Sequence, residues 1–492
     1  GRVRRLFRPG RDVFALGVDL RVAEGSLTCA KTMNAALPNS PERKIILLLC
    51  GLAAIHVFVF SAAFPFFNVV DEQLHLDDVI RYSHGDIPRA LGVPQPESLQ
   101  FISIYGTVEY LWPPSTFAGK KMPPPQWTLP ISEVAPNLLA KEKIWKEKVR
   151  NTEASQPPLY YALAGAWWRL GKFFHLDGLS LLYWLRFLNV PLVVAFVWLG
   201  GFAARKIFPE NHFICVAVPA LIAFMPQTAF YSINNDILSP LTFGIAFVLL
   251  LKFWESEKPS PRLAVATGLA LAATFLTKIS NLPLLAVSGI IIELQIFRLR
   301  QNDKLRPSIS SLIILAFCAG LPMAAWMAWC RINFGDFTGS NLKIQLLGWT
   351  AKPLAEWFQH PIFTAHGFWI FLSGNLATFW QGEFLWDGKP LAIHSVDLIY
   401  VIFTIALLAL TFFHLLWPRQ FFTPQRAALW FSFACLAASL AFFALLSVKY
   451  DFHDCFYPSR AHPYFTSGRL MLGALIPILL LFVCGLDRLL KR

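Results

Sequence analysis

Two adjacent acids, Asp71 and Glu72, stand where a long apolar run over roughly 45–67 gives out, and His75 comes one helical turn later. Carboxylates this close repel, so one of their pKa values rises toward the range useful to a general base. An Asp at the centre of a membrane helix costs about 2.5–3.5 kcal/mol on insertion scales, and acids at a membrane boundary therefore read first as functional. The plain structural alternative is that they are the first solvated residues of a loop. A structural acid here would need a cationic partner, and none lies nearby before Arg81. Further polar residues interrupt apolar stretches: Glu153 and Gln156, Arg186, Asn235 and Asp236, Lys278, Glu383, and a segment from Lys449 to Arg469 that includes Arg460. Each also has a bland reading: Arg186 and Lys278 can snorkel from span ends, and Asn-Asn-Asp is a common helix-capping string.

The elements that must position these residues are membrane spans. Of the 492 residues 55% are hydrophobic and only 15% charged, with 45 Phe and 17 Trp, which excludes an ordinary soluble domain. A net charge of +13 would suggest nucleic acid in a soluble chain. Here most Lys and Arg flank apolar runs, where the positive-inside effect accounts for them, and no nucleic-acid partner is expected. The eight Cys are scattered without CxxC or metal-ligand spacing, so no disulfide framework is inferred.

Taken in order, residues 1–44 read as a basic cytoplasmic tail, of which 1–32 are left out of the fold because Met33 is a natural start. A first span comes after Arg43-Lys44. A long loop over 69–179 carries a helix opened by Pro157-Pro158 and rich in interfacial aromatics such as Trp167 and Trp168. Further runs lie near 180–204, 212–232, 236–254, 262–277, 281–298, 308–330, 395–417, 427–447 and 467–488. If the Pro-Pro helix lies along the membrane instead of crossing it, five basic clusters (Arg205-Lys206, 252–262, 298–306, 419–426 and 488–492) share the side of the N-terminus. The positive-inside rule selects that topology, with about ten spans and both termini cytoplasmic. The stretch 361–380, broken by His366, Gly374 and Asn375, is then interfacial or re-entrant. The expected fold is thus an all-α integral membrane protein with juxtamembrane helices. A module over 45–330 includes the external loop 69–179, a second external loop covers 331–394, and C-terminal spans over 395–492 enclose an external loop at 448–466. In this topology these polar residues all converge on the non-cytoplasmic face.

The ordered set resembles the GT-C superfamily, the multi-span glycosyltransferases that use polyprenyl-phosphate sugars. Protein O-mannosyltransferases and the lipid A aminoarabinose transferase are members. Asp71-Glu72 with His75 is similar to the acidic motif of the first external loop, and Gln156-Pro157-Pro158-Leu159-Tyr160-Tyr161 to the Pro-Pro-Leu element opening a juxtamembrane helix. Arg186, Pro226…Asn235-Asp236, Leu276-Thr277-Lys278 and Phe465-Thr466-Ser467-Gly468-Arg469 come in matching order. The likeness covers about residues 45–490 and is greatest to a bacterial branch with Asp-Glu-x-x-His near its start. It implies an inverting transferase of the bacterial inner membrane that moves a sugar from a polyprenyl-phosphate donor to a glycan, lipid or protein hydroxyl. Asp71 would be the general base, with Glu72 next. Lys278, Arg460 and Arg469 would meet the donor phosphate. His75, Glu153, Gln156, Arg186, Asn235 and Asp236 would bind or orient the acceptor. Some relatives use a divalent cation and others do not, so Glu153 and Asp236 stay open as metal ligands and no cofactor is assigned.

Two rival classes remain. A transporter or flippase of a lipid-linked substrate would place charges near span centres and show internal repeats; few charges lie there and no repeat is seen in the span pattern. A non-catalytic subunit would use the aromatic loops as contact surfaces and would tolerate loss of Asp71.

Overall fold

The computed structural model describes residues 41–68, 71–106, 115, 117–121, 124–386, 389–390, 392–417, 421–455 and 457–491. The basic tail expected over 1–44 thus falls, up to residue 40, outside the described residues. The compact unit Ile45–Arg492 holds the elements that position the site.

Eighteen α-helices are described. These are α1 (Pro41–Ala63), α2 (Glu72–Ser83), α3 (Pro96–Tyr105), α4 (Ile131–Lys148), α5 (Leu159–Phe173), α6 (Gly178–Arg186), α7 (Asn189–Ile207), α8 (His212–Phe224) and α9 (Ser239–Glu255). They continue as α10 (Pro261–Thr277), α11 (Leu282–Gln301), α12 (Leu305–Phe334), α13 (Ser340–Leu346), α14 (Leu354–Trp357), α15 (Ala365–Gln381), α16 (His394–Leu416), α17 (Thr423–Lys449) and α18 (Leu475–Leu490). Two-residue strands make up the only sheet structure described: β1 (Thr350–Ala351) pairs antiparallel with β4 (Tyr450–Asp451), and β2 (Leu385–Trp386) with β3 (Lys389–Pro390).

Eight helical stretches among the described residues are long and apolar enough to cross a membrane, and the shorter apolar helices α8 and α10 occupy two more of the expected runs. The protein is therefore an all-α membrane protein, as its composition requires: in lipid, backbone polar groups must be satisfied within each segment, which helices do. The spans differ in enclosure. Most of the apolar window of Gly468–Leu490 is buried (83%), against 17% for Leu305–Phe334, so the last span lies at the centre and α12 at the periphery. Ile309, Ile313, Phe317 and Leu321 on α12 are exposed, as side chains facing lipid would be.

Two expected runs are interrupted. The run near 180–204 breaks at 187–188 into α6 and α7, and the run near 212–232 ends at Phe224, where an irregular segment begins. Both breaks place polar residues. Arg186 is the last residue of α6, and the segment 225–238 carries Asn234, Asn235 and Asp236. Asn189 holds that segment by donating to the carbonyls of Phe230 and Ser232, at 3.2 and 2.8 Å.

Helix α5 has 15 residues, about 22 Å at 1.5 Å per residue, which falls short of a hydrocarbon core about 30 Å thick. It is not among the spanning helices. Its buried face, Tyr160, Tyr161, Ala164, Gly165 and Trp168, packs on α2. Contact is close enough at Gly165 that an added Cβ would lie 2.9 Å from the Ser83 nitrogen. Trp167 and Trp184 stack with ring centroids 4.4 Å apart, and each indole donates to the other residue's carbonyl at 2.8 Å. This pair of hydrogen bonds ties α5 to α6, while α5 also packs on α2. Helix α15 also falls outside the spanning set and packs on the 3₁₀ segment Gly468–Ala474.

Candidate functional site

Asp71 caps α2 in the left-handed conformation (φ 64°, ψ 8°), which Asp and Asn tolerate better than most residues. Its carbonyl accepts from Leu74 and His75 and so starts the helix, while its carboxylate accepts no hydrogen bond from any described residue. By surface area Asp71 is only half-buried, yet neighbouring side chains crowd it closely. That crowding pushes its carboxyl above the usual carboxylate range, and the Glu153 charge adds to the rise. Lys343, Arg469 and Lys278 act in the opposite direction.

Glu72 is entirely different. Its Oε1 accepts from Arg186 Nε (2.9 Å) and the Ile233 amide (2.9 Å), and its Oε2 from Arg186 Nη2 (2.8 Å) and the Phe67 amide (2.8 Å). Arg186 spends its other donors on the carbonyls of Ser61, Phe64 and Pro65, and its guanidinium lies 4.0 Å from the Phe66 ring centre. Both side chains are fully buried. This knot joins the end of α1, the start of α2, the end of α6 and the segment before Asn234. It corrects two expectations: Glu72 has no free lone pair in place to take a proton, and Arg186 orients Glu72 in place of an acceptor.

Three cations and three further carboxylates make up the rest of the centre. Asp236 receives Lys278 Nζ at 2.5 Å and Arg469 Nη1 at 2.6 Å, and Arg469 Nε reaches Glu383 at 2.9 Å. Lys343 pairs with Glu153. With Asp71 ionised, the four acids (Asp71, Glu153, Asp236 and Glu383) exceed the three cations by one negative charge. Burial would raise the Glu153 carboxyl, but Lys343, His75 and Lys278 together hold it well below its ordinary value. His75, one turn into α2, has its Nδ1 2.8 Å from the Tyr161 hydroxyl, toward which Asn235 Nδ2 also points at 3.5 Å. Burial pushes its pKa down to about 3, so His75 is a neutral hydrogen-bonding group at physiological pH. Several acceptors here are buried with no partner: Gln156 Oε1, Asn235 Oδ1 and Glu383 Oε1. Buried acceptors of this kind call for a donor, and a ligand hydroxyl is one.

Of the expected site residues, Asp71, His75, Glu153, Asn235, Asp236, Lys278 and Arg469 belong to this network or touch it, and Gln156 lies three residues from Glu153. Arg460 does not join: it is largely exposed, paired with Asp451 at 3.0 Å and with His453 at 2.7 Å. Sequence reasoning did not assign Lys343, Glu383 or Tyr161. Tyr161 sits in the Pro-Pro motif, and Glu383 was visible as an acid among tryptophans, whereas nothing in the sequence around Lys343 distinguishes it. Glu153 and Asp236 are each neutralised by protein cations, and among the described residues no three His, Cys, Asp or Glu side chains converge as metal ligands.

Such a centre, buried between irregular segments at the ends of apolar helices, defines a polytopic membrane protein with a polar site at one end of its bundle. The chain belongs to the family described as predicted membrane protein (DUF2142), which it matches over residues 54–450. No curated protein and no solved structure matches it.

Proposed function

We propose that this chain is a glycosyltransferase of the GT-C type, moving a sugar from a polyprenyl-phosphate donor to an acceptor hydroxyl at the non-cytoplasmic face of a bacterial inner membrane. The observation that carries the reading is the unpaired, crowded carboxylate of Asp71 among Lys278, Lys343 and Arg469. A base must keep a lone pair free and hold a pKa nearer the working pH than an ordinary carboxylate; the absence of a described donor leaves the first, and burial raises the second. In the step, the acceptor oxygen attacks the anomeric carbon from the face opposite the phosphate. The bond from that carbon to the phosphate oxygen breaks, Asp71 takes the hydroxyl proton, and polyprenyl phosphate leaves with the electron pair.

Arg469 and Lys278 meet the leaving phosphate by exchanging part of their pairing with Asp236. Asn235, Gln156 and neutral His75 hydrogen-bond hydroxyls. Glu153 and Asp236 set the charge of the site. The face assignment comes from the five basic clusters, which share one side when α5 lies along the membrane. Glycan, lipid and protein acceptors all offer the required hydroxyl.

The test is incubation of purified, folded protein with radiolabelled polyprenyl-phosphate sugars, with Asp71→Asn as control. Consumption of one donor by the parent alone is expected. Absence of consumption across a donor panel, in protein that melts cooperatively, would overturn the reading.

A further inference from the structure

The residue that sequence reasoning could not find is also the one that joins two distant segments at Asp71. Lys343 lies on α13, within the long segment between α12 and α15, and its ammonium pairs with Glu153 in the segment before α5. Both ends of this clasp are prepared. On one side, Asn151 Nδ2 donates to the Leu74 carbonyl and to Asp77 and Asp78 at 3.2, 2.9 and 3.0 Å, which fastens the Glu153 segment to the helix that Asp71 heads. Asn151 Oδ1 then accepts the Glu153 amide at 2.9 Å.

On the other side, Asp336 orders the turn that delivers α13. Its Oδ1 takes the Thr338 amide and hydroxyl at 2.8 and 2.7 Å, and its Oδ2 takes the Asn341 amide at 2.9 Å. Gly339, at φ 68°, closes the approach: a Cβ there would lie 2.7 Å from Ser155 Cβ, two residues past Glu153. A surface lysine caught by chance would not arrive on so determined a turn.

We infer that Lys343 is a positioning residue for Asp71: through Glu153 it clamps the 336–346 turn against the head of α2 and sets the charge that the Asp71 carboxylate faces. The inference rests on the reading of Asp71 as the base. The charged and titratable groups around Asp71 are Glu153 from the segment before α5, Lys343 from α13, Lys278 after α10, Arg469 at the start of the last span, and His75 on its own helix. Glu153 favours the protonated form of Asp71 and Lys343 the ionised form. Without Lys343, two carboxylates face each other uncompensated, and the proton on Asp71 is lost only at higher pH.

The experiment reads Asp71 directly and does not need turnover. Water-soluble carbodiimide labels protonated carboxyls, and peptide mass spectrometry of the folded, detergent-solubilised protein tracks labelling at Asp71 against pH. In Lys343→Met the labelling midpoint is expected to rise by about one pH unit or more, the usual effect of losing a nearby opposite charge. Lys343→Arg should restore the parent midpoint. The double variant Lys343→Met with Glu153→Gln, in which the two opposed charges vanish together, should return close to it as well. Where donor consumption is measurable, the acid limb of its pH profile should move by the same amount.

A midpoint that stays put in Lys343→Met, in protein whose melting temperature matches the parent, would overturn the inference. So would a shift that Glu153→Gln fails to reverse. If the labelling shifts as expected and no donor is consumed by any variant, the transferase reading fails and the clasp stands.

Discussion

Around Glu72 each carboxylate oxygen accepts two donors, from Arg186 and from the amides of Phe67 and Ile233. One residue earlier, around Asp71, no described donor reaches the carboxylate at all, although three cations stand close enough to influence its charge. The two acids share a helix start, so the difference comes from what distant segments bring to them. The end of α6 brings a guanidinium with its donors fully used, while α13, the turn after α10 and the last span bring cations already engaged with other carboxylates. A buried ion pair of the first kind specifies a structure and leaves nothing for chemistry. A carboxylate left unmatched is costly to the fold and available for work. Adjacent residues of like charge can thus be given opposite surroundings when their partners come from separate parts of the chain.

The contrast can be broken from either side. The largest effect is expected for Asp71→Asn, which keeps size, hydrogen bonding and tolerance of the left-handed backbone. General-base loss costs about 10²–10⁴-fold in rate, so donor consumption should fall by that factor in protein with an unchanged melting temperature. Turnover within a few-fold of the parent would deny Asp71 the base role.

Glu72→Gln and Arg186→Ala probe the other region. Each leaves one member of a fully buried pair uncompensated, for which about 3–5 kcal/mol is typical. Expected are a melting temperature lowered by many degrees, or failure to fold at all, in both variants alike. A Glu72→Gln protein with parental stability and no turnover would reverse the assignment of the two acids.

A smaller change sharpens the picture. Arg469→Ala removes a guanidinium shared between Asp236 and Glu383. A charge-assisted hydrogen bond to phosphate is worth about 1.5–3 kcal/mol, so donor affinity by equilibrium binding should weaken by roughly 10–150-fold. Arg460→Ala, exposed and paired with Asp451 outside this network, should leave that affinity unchanged. Equal affinity in both variants would move the phosphate contact away from Arg469.

Much of the architecture was legible because lipid leaves few options: apolar runs of span length are helices. The first broken run was not legible, because apolar composition continues through Phe187-Leu188. In the second, Pro226-Gln227-Thr228 did signal a break inside the expected run, and the hydrogen bonds that Glu72 and Asn189 make there hold irregular backbone. In the site, Asp236, Lys278 and Arg469 stood out as charges at span ends. The partner of Glu72 did not, because Arg186 lies 114 residues away and no local pattern encodes such a pairing. Lys343 was hidden for the related reason that its significance comes from the Asp336 turn and from Glu153, both ordinary in isolation.

The reciprocal stacking of Trp167 and Trp184 has a mechanical meaning. Two hydrogen bonds and a ring face join the middle of α5 to α6, so the two helices move as one strut. That strut ends at Arg186 on one arm and lies against α2, through the glycine contact at Gly165, on the other. Exposed Phe173 and Phe174 at the far end of α5 are therefore joined, through two helices packed on each other and on α2, to the segment bearing Asp71.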